Sequence, residues 1–220
     1  MPLQVQPMHY DDIPAMATID AAAMANWGLA IAMQNGLPEG QTREEFIVQL
    51  SQGGWDRGME WVKVVDSELD GKLIAAALWR FQLEQETPKD ESTAQAPGAE
   101  DEGLKPALTF PPVMAAMTAL SKLQNDKYVH GQPHALLSVL VTDPQHQRRG
   151  AGTLLVKYGC DKADSLGLFA ILHASPAGVG VYTKQGFEVI EEKLLDLRPF
   201  GVDESEVRRF MIREARAVGT

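Results

Sequence analysis

The chain has 220 residues, 45% hydrophobic and 23% charged, with a formal net charge of −10. That length buries a full core without staples, and the acidic balance argues against a nucleic-acid partner. A single cysteine, Cys160, excludes an intrachain disulfide framework and a cysteine-based metal cluster.

Leu3–Gln6 reads as a first strand. Asp11-Asp12-Ile13-Pro14 then opens a helix with acids near its positive end, continuing to Asn26. Thr42 followed by Arg43-Glu44-Glu45 is a capping-box pattern leading into Phe46–Gln52. Trp61–Val65 and Leu73–Gln82 are strand-like and joined at the turn signal Asp70-Gly71. Residues 84–112 break the pattern with Pro88, Pro97, Pro106, Pro111 and Pro112. Seven acids stand there against Lys89 and Lys105, so the expectation is a flexible acidic insertion, either a lid or a solvated loop. Val113–Leu123 is Ala/Met/Leu-rich and expected to be helical.

The C-terminal half alternates strand and helix. Ala135–Thr142 is a strand, Asp143–Gln147 a turn, Arg149–Leu166 a helix closed by Gly167, and Leu168–Ala174 a strand. Ser175-Pro176 reads as the cap and first residue of a short helix ended by Gly186. Phe187–Leu195 and Arg208–Arg213 close the sheet. This order predicts an α/β fold with at least one parallel strand pair. The helix face of Gly152, Leu155, Val156, Gly159, Cys160, Ala163 and Leu166 is expected against the sheet, with Cys160 buried.

The stretch with chemical content is Gln147-Arg148-Arg149-Gly150-Ala151-Gly152, between strand and helix. Two glycines let the backbone turn tightly and approach a ligand. The unpaired amides of the following helix favour phosphate, and Arg148, Arg149 and Lys157 add positive charge. No Gly-x-x-x-x-Gly-Lys-Ser/Thr pattern exists, and the dinucleotide-binding spacing Gly-x-Gly-x-x-Gly fails at Leu155.

Gln-x-x-Gly-x-Gly after Val-Thr-Asp-Pro resembles the acyl-CoA loop of the GNAT superfamily of N-acetyltransferases. Tyr182-Thr183-Lys184-Gln185-Gly186-Phe187 is similar to that family's Tyr-x-x-x-Gly-Phe signature, in the same order and at a matching distance. The resemblance covers about residues 135–190 and looks nearest to fungal-type, small-molecule members. It implies one GNAT-like domain over 1–220: a central, mostly antiparallel sheet, a splayed parallel strand pair and flanking helices.

It further implies acetyl-CoA as co-substrate and a small-molecule primary amine as acceptor, attacked directly in a ternary complex. Gln147, Arg148, Arg149, Gly150, Ala151, Gly152 and Thr153 would hold the pyrophosphate, and Leu140 and Val141 the pantetheine. Ser175 would cap its helix or also line the splay. Tyr182 would protonate the departing thiolate, a role its neutral phenol suits at pH 7; a core aromatic is the alternative. Some relatives place Glu or His on the strand before the loop, where the corresponding inward positions of this chain are Leu136 and Ser138. Alternation puts His134 on one face with Leu136, Ser138 and Leu140, making it the nearest titratable candidate, directly or through a water near Ser138. A surface or satisfied histidine at the strand start is the alternative, and His173 on the neighbouring strand is a second candidate.

His130 and His134 are separated by Gly131 and Pro133, which forbid the helix that a zinc pair needs, so no metal is expected. Trp27, Trp55, Trp61 and Trp79 are either core or acceptor pocket. No apolar run approaches the ~20 residues of a membrane span, and no leader signal stands at Met1–Tyr10. The expectation is a soluble cytoplasmic protein, monomer or homodimer, with no membrane partner. The alternatives are a catalytically silent CoA binder and a peptide or protein N-acetyltransferase.

Overall fold

The computed structural model describes residues 2–55, 59–85 and 109–217. Among the described residues seven strands form one sheet: β1 (Leu3–Pro7), β2 (Met59–Asp66), β3 (Lys72–Gln82), β4 (His134–Thr142), β5 (Phe169–Ala174), β6 (Glu188–Asp196) and β7 (Ser205–Arg213). Their spatial order is β1-β2-β3-β4-β5-β7-β6. Every neighbouring pair is antiparallel except β4–β5. The expected α/β fold is present, mostly antiparallel with one parallel pair.

Six α-helices flank the sheet among the described residues: α1 (Ile13–Ala23), α2 (Gly28–Asn35), α3 (Arg43–Gly54), α4 (Pro112–Tyr128), α5 (Ala151–Ser165) and α6 (Val179–Lys184). The side chains of α5 and α6 pack on one face, against Val62, Val64, Ala75, Ala77, Trp79, Ala135, Leu137, Ala170 and Leu172. On the other face α1 packs over Ala76, Leu78 and Val141, and the end of α4 over Ile171 and Phe210. Ala75, Ala76 and Ala77 in β3 are fully buried, and their small side chains let helices approach from both sides.

Local chemistry accounts for most element ends. The Thr42 hydroxyl accepts from the Glu45 amide at 3.2 Å, and Glu45 accepts from the Thr42 amide at 2.8 Å, a complete capping box. Gly167, at φ +67°, ends α5 by letting the Leu168 amide reach the Ala163 carbonyl at 2.9 Å.

Four expectations change. Helix α5 starts at Ala151, because Arg148 (φ +60°) and Gly150 (φ +92°) hold left-handed backbone that cannot belong to it. Ser175 is not a helix cap: Gly178 caps α6, and the Gly178 amide bonds to the Ser175 carbonyl at 3.0 Å, closing a turn. Leu166 is 42% exposed, beyond the buried stripe of α5. A separate helix, α2, follows Trp27, where short Ala/Met segments give weak periodicity. The acidic insertion at 84–112 lies mostly outside the described residues.

A bulge governs β4. Its pairing with β3 steps from Leu78↔Val139 to Trp79↔Leu137, leaving Ser138 as an extra residue. Ala135, Leu137 and Leu140 therefore belong to the α5 side of the sheet, while Leu136 packs on the other side with Ile171 and Phe210. The expected common face of His134, Leu136, Ser138 and Leu140 is broken by that extra residue.

Trp79 links the sheet to α5. It is fully buried, donates its indole N–H to the Leu155 carbonyl at 3.3 Å and stacks on Phe81. A Cβ on Gly159 would lie 1.9 Å from the Trp79 ring, so only glycine fits. Gly159→Ala is expected to cost about 1–3 kcal/mol by overpacking. That is a melting-temperature loss of roughly 2–10 °C at this chain length, and an unchanged melt would contradict the packing.

Candidate active site

Strands β4 and β5 pair only from His134↔Phe169 to Leu137↔Leu172. Beyond Leu137, β4 continues to Thr142 still bonded to β3, and β5 continues to Ala174 bonded to β7. The two strands thus separate, and residues 138–142 have no strand partner on that side among the described residues. Backbone groups in such a gap need partners, and an extended ligand can supply them as an added strand would.

The gap opens toward the glycine loop. Arg148 and Gly150 both adopt positive φ, which curls the backbone before α5. The first intrahelical bond of α5 runs from the Leu154 amide to the Gly150 carbonyl. The amides of Ala151, Gly152 and Thr153 therefore have no intrahelical partner at the positive end of a 15-residue helix, and Gly150 carries no side chain to cap them. Gly152 adjoins β4: a Cβ there would meet Thr142 Oγ1 at 3.5 Å and Leu140 Cδ2 at 3.9 Å. The arrangement suits a pyrophosphate on the loop with its chain running into the gap.

The loop arginines differ in their work. Arg149 donates to Asp66 at 2.5 Å and lies 3.2 Å from His146 Nδ1. The Asp66 side chain is fully buried at the end of β2. Burial acts to raise the Asp66 pKa, but the Glu68 amide and Arg149 outweigh it and hold the carboxyl below its ordinary 3.8. Arg149 thus ties the loop to the sheet, so its guanidinium is already engaged. Arg148 is exposed, with no ion-pair partner among the described residues. Lys157 pairs with Asp161 at 2.6 Å, one turn along α5.

Tyr182 and His134 end up far apart in kind. Tyr182 is 8% exposed on α6, edge-on to Phe187, with a hydroxyl that has no hydrogen-bond partner among the described residues. Its ring covers the turn after β5: a Cβ on Gly178 would lie 2.7 Å from Tyr182 Cε2 and 3.2 Å from its oxygen. Burial pushes its pKa up to about 12, against a smaller opposing effect of the Arg208 charge, so the phenol keeps its proton at neutral pH. His134 stands instead at the closed end of β4, paired opposite both Gln82 and Phe169. Its Nδ1 bonds to the Gln132 carbonyl at 2.7 Å. It is six residues from Leu140, roughly 20 Å along an extended strand; the structure does not bring it to the gap.

His173 is the histidine at the gap, the first residue of β5 beyond the β4 pairing. Its ring faces α4, 5.1 Å from Phe210, with Nε2 2.9 Å from Gln124 Oε1. Burial, aided by the charge of Arg208, lowers its pKa to about 4, so the ring is neutral at pH 7.

Sequence reasoning missed a buried pair beside it. Glu206 and Arg208 on β7, 8% and 6% exposed, bond at 3.1 Å. Arg208 also donates to the His173 carbonyl at 3.4 Å and lies over the Trp27 ring at 5.6 Å. Burial raises the Glu206 pKa against the pull of Arg208. The available signal was alternation, since Glu206 and Arg208 are in step with buried Phe210. Of the tryptophans, Trp79 and Trp61 are core, and Trp27 is the one beside this pair.

The Asp66–Arg149 pair sets an acid-sensitive test. A carboxyl with a depressed folded-state pKa contributes stability that is present above its unfolded value and is lost as pH falls through the folded value. Arg149→Ala is expected to lower the melting temperature by several degrees at pH 7, with the deficit closing as pH falls through the lowered titration of Asp66. Arg148→Ala is expected to leave the melt unchanged. Equal melts for both variants would remove the anchoring role of Arg149.

Comparison with known proteins agrees with this geometry. The profile of the acetyltransferase (GNAT) family matches residues 37–187. No curated protein matches the chain significantly. Among solved structures, a mosquito arylalkylamine N-acetyltransferase like 5b superposes with a TM-score of 0.62 at 17% identity, covering 96% of this chain and 99% of that one. A histone acetyltransferase HPA2 and related acetyltransferase from Corynebacterium glutamicum gives 0.60 at 18% identity, covering 100% and 99%. The phosphinothricin acetyltransferase of Sinorhizobium meliloti, solved with acetyl-CoA, gives 0.56 at 14%, covering 100% and 92%. These likenesses establish the shared fold, and the family profile spans more than half of the sequence: the chain belongs to the acetyltransferase (GNAT) family.

Proposed function

We propose that this protein transfers an acetyl group from acetyl-CoA to a primary amine of a small molecule. The observation that carries the proposal is the half-open β4–β5 pair, aimed at the uncapped amides of α5 and flanked by Tyr182 and His173. Neighbours of the same fold, named for arylalkylamine and phosphinothricin acetylation, support the small-molecule reading.

In this reading the amides from Gln147 to Thr153 hold the pyrophosphate, with Arg148 adding charge. The free β4 edge at Leu140 and Val141 holds the pantetheine and aims a fixed amide dipole at the thioester carbonyl. Acetyl-CoA supplies an acyl carbon already activated toward nucleophiles, so no covalent enzyme intermediate is needed. The new N–C bond forms as the C–S bond breaks. Tyr182 gives its proton to the departing sulfur. His173 takes the proton lost by the amine, a role it holds in place of His134 because only His173 lies at the gap. Ser175, in the turn under Tyr182, lines the same end of β5.

Release of free thiol from acetyl-CoA, followed over a panel of small primary amines and basic peptides, tests the acceptor class. Turnover with amines is expected; turnover with peptides alone would reassign the acceptor. Tyr182→Phe is expected to lower kcat by roughly 10²-fold or more while leaving acetyl-CoA affinity unchanged. Wild-type kcat in that variant would remove the acid role. Binding without thiol release under any acceptor would make the protein a catalytically silent CoA binder.

A further inference from the structure

His173 is bound by a chain of polar groups that reaches the surface through α4 and β6. Lys127 donates to Glu191 Oε1 at 2.8 Å, and Lys193 stands 3.7 Å from the same oxygen. Gln124, 1% exposed, donates its amide nitrogen to Glu191 Oε2 at 3.1 Å, and its oxygen faces His173 Nε2 at 2.9 Å. A β-bulge brings Glu191 into this chain. The register of β6 steps from Val189↔Met211 to Glu191↔Phe210, so Ile190 is the extra residue and Glu191 lies opposite Phe210. Phe210 sits on the α4 side of the sheet, in contact with the His173 and Tyr128 rings. Without the bulge, Glu191 would be out of step with that face.

The donor and acceptor inventory permits one arrangement. An ammonium only donates and a carboxylate only accepts. Hydrogen bonds from Lys127 and Gln124 hold the Glu191 carboxyl at about 2, so it stays an acceptor at neutral pH. Gln124 must then turn its NH₂ group to Glu191 and its carbonyl to His173. That carbonyl can only receive, so the hydrogen lies on His173 Nε2. A neutral imidazole carries one such hydrogen, which leaves Nδ1 as its lone pair. Nδ1 is the ring nitrogen nearer the strand, and it has no hydrogen-bond partner among the described residues.

We infer that Lys127, Glu191 and Gln124 are positioning residues that hold His173 in the Nε2–H tautomer, so that Nδ1 is the atom able to accept a proton beside the gap. The catalytic meaning rests on the proposed base role of His173, whereas the tautomer assignment does not. A second consequence follows from the same logic. In Glu191→Gln the two lysines face Oε1 and fix that atom as the carbonyl, which turns the new NH₂ group toward Gln124. Gln124 must then present its oxygen to residue 191 and its NH₂ to His173 Nε2. The ring answers by moving its hydrogen to Nδ1, and the lone pair leaves the strand side.

Long-range ¹H–¹⁵N correlation spectra of the full chain labelled at histidine read this directly, with His173→Gln identifying the signal among the five histidines. The expected result is the Nε2–H pattern in wild type and Glu191→Asp, and the Nδ1–H pattern in Glu191→Gln. Turnover in Glu191→Gln is expected to fall by roughly 10-fold or more, with acetyl-CoA affinity unchanged and Glu191→Asp retaining more activity. An Nε2–H pattern persisting in Glu191→Gln, or an Nδ1–H pattern in wild type, overturns the relay. A reversed tautomer with unchanged turnover upholds the relay and instead removes His173 as the base.

Discussion

The fold depends on a pairing that stops early. Four residues of β4 meet four of β5, and beyond them each strand stays bonded only to the neighbour on its other side. Unpaired backbone inside a protein is costly unless something satisfies it. The outer pairings therefore have to be strong enough to keep the gap open. Trp79, wedged between β3 and Gly159 of α5, holds one wall. The other wall is held where Arg213 on β7 grips Asp164 of α5 at 2.7 and 2.8 Å and the Gln185 carbonyl at 2.9 Å.

Function then follows from what each wall presents. Above the gap are the amides at the start of α5, a site of positive potential in an acidic protein. Beside it lie two groups with displaced titration: Tyr182, kept protonated by burial, and His173, kept neutral by burial and Arg208. In the proposed reaction Tyr182 gives a proton and His173 receives one. Arg208 stands near both and is itself balanced by Glu206.

Much of this was legible in the sequence, and the failures have definite causes. The glycine loop, the Tyr-x-x-x-Gly-Phe segment, the capping box at Thr42 and the stop at Gly167 depend on neighbours within a few residues, which local chemistry reads well. His134 was misplaced because its assignment relied on unbroken alternation; the Ser138 bulge ended that, and strand position put His134 at the closed end. The engagement of the Arg149 guanidinium is not legible locally, because its partner, Asp66, lies 83 residues earlier. The Glu206–Arg208 pair and the chain from Lys127 to His173 join α4, β5, β6 and β7, whose contacts arise only once the sheet order is set. A second bulge, at Ile190, is invisible to a period-two reading for the same reason.

The central claim is that the open strand pair and the loop before α5 bind acetyl-CoA. Thermal melting of the protein with and without acetyl-CoA tests it before any acceptor is known. A ligand of the native state at 100 times its Kd adds about 2.7 kcal/mol, which for a chain of this size is a rise of roughly 5–10 °C. A rise of that order, matched by free CoA and lost in Gly150→Glu, is the predicted result. No rise with either acetyl-CoA or CoA would contradict the account.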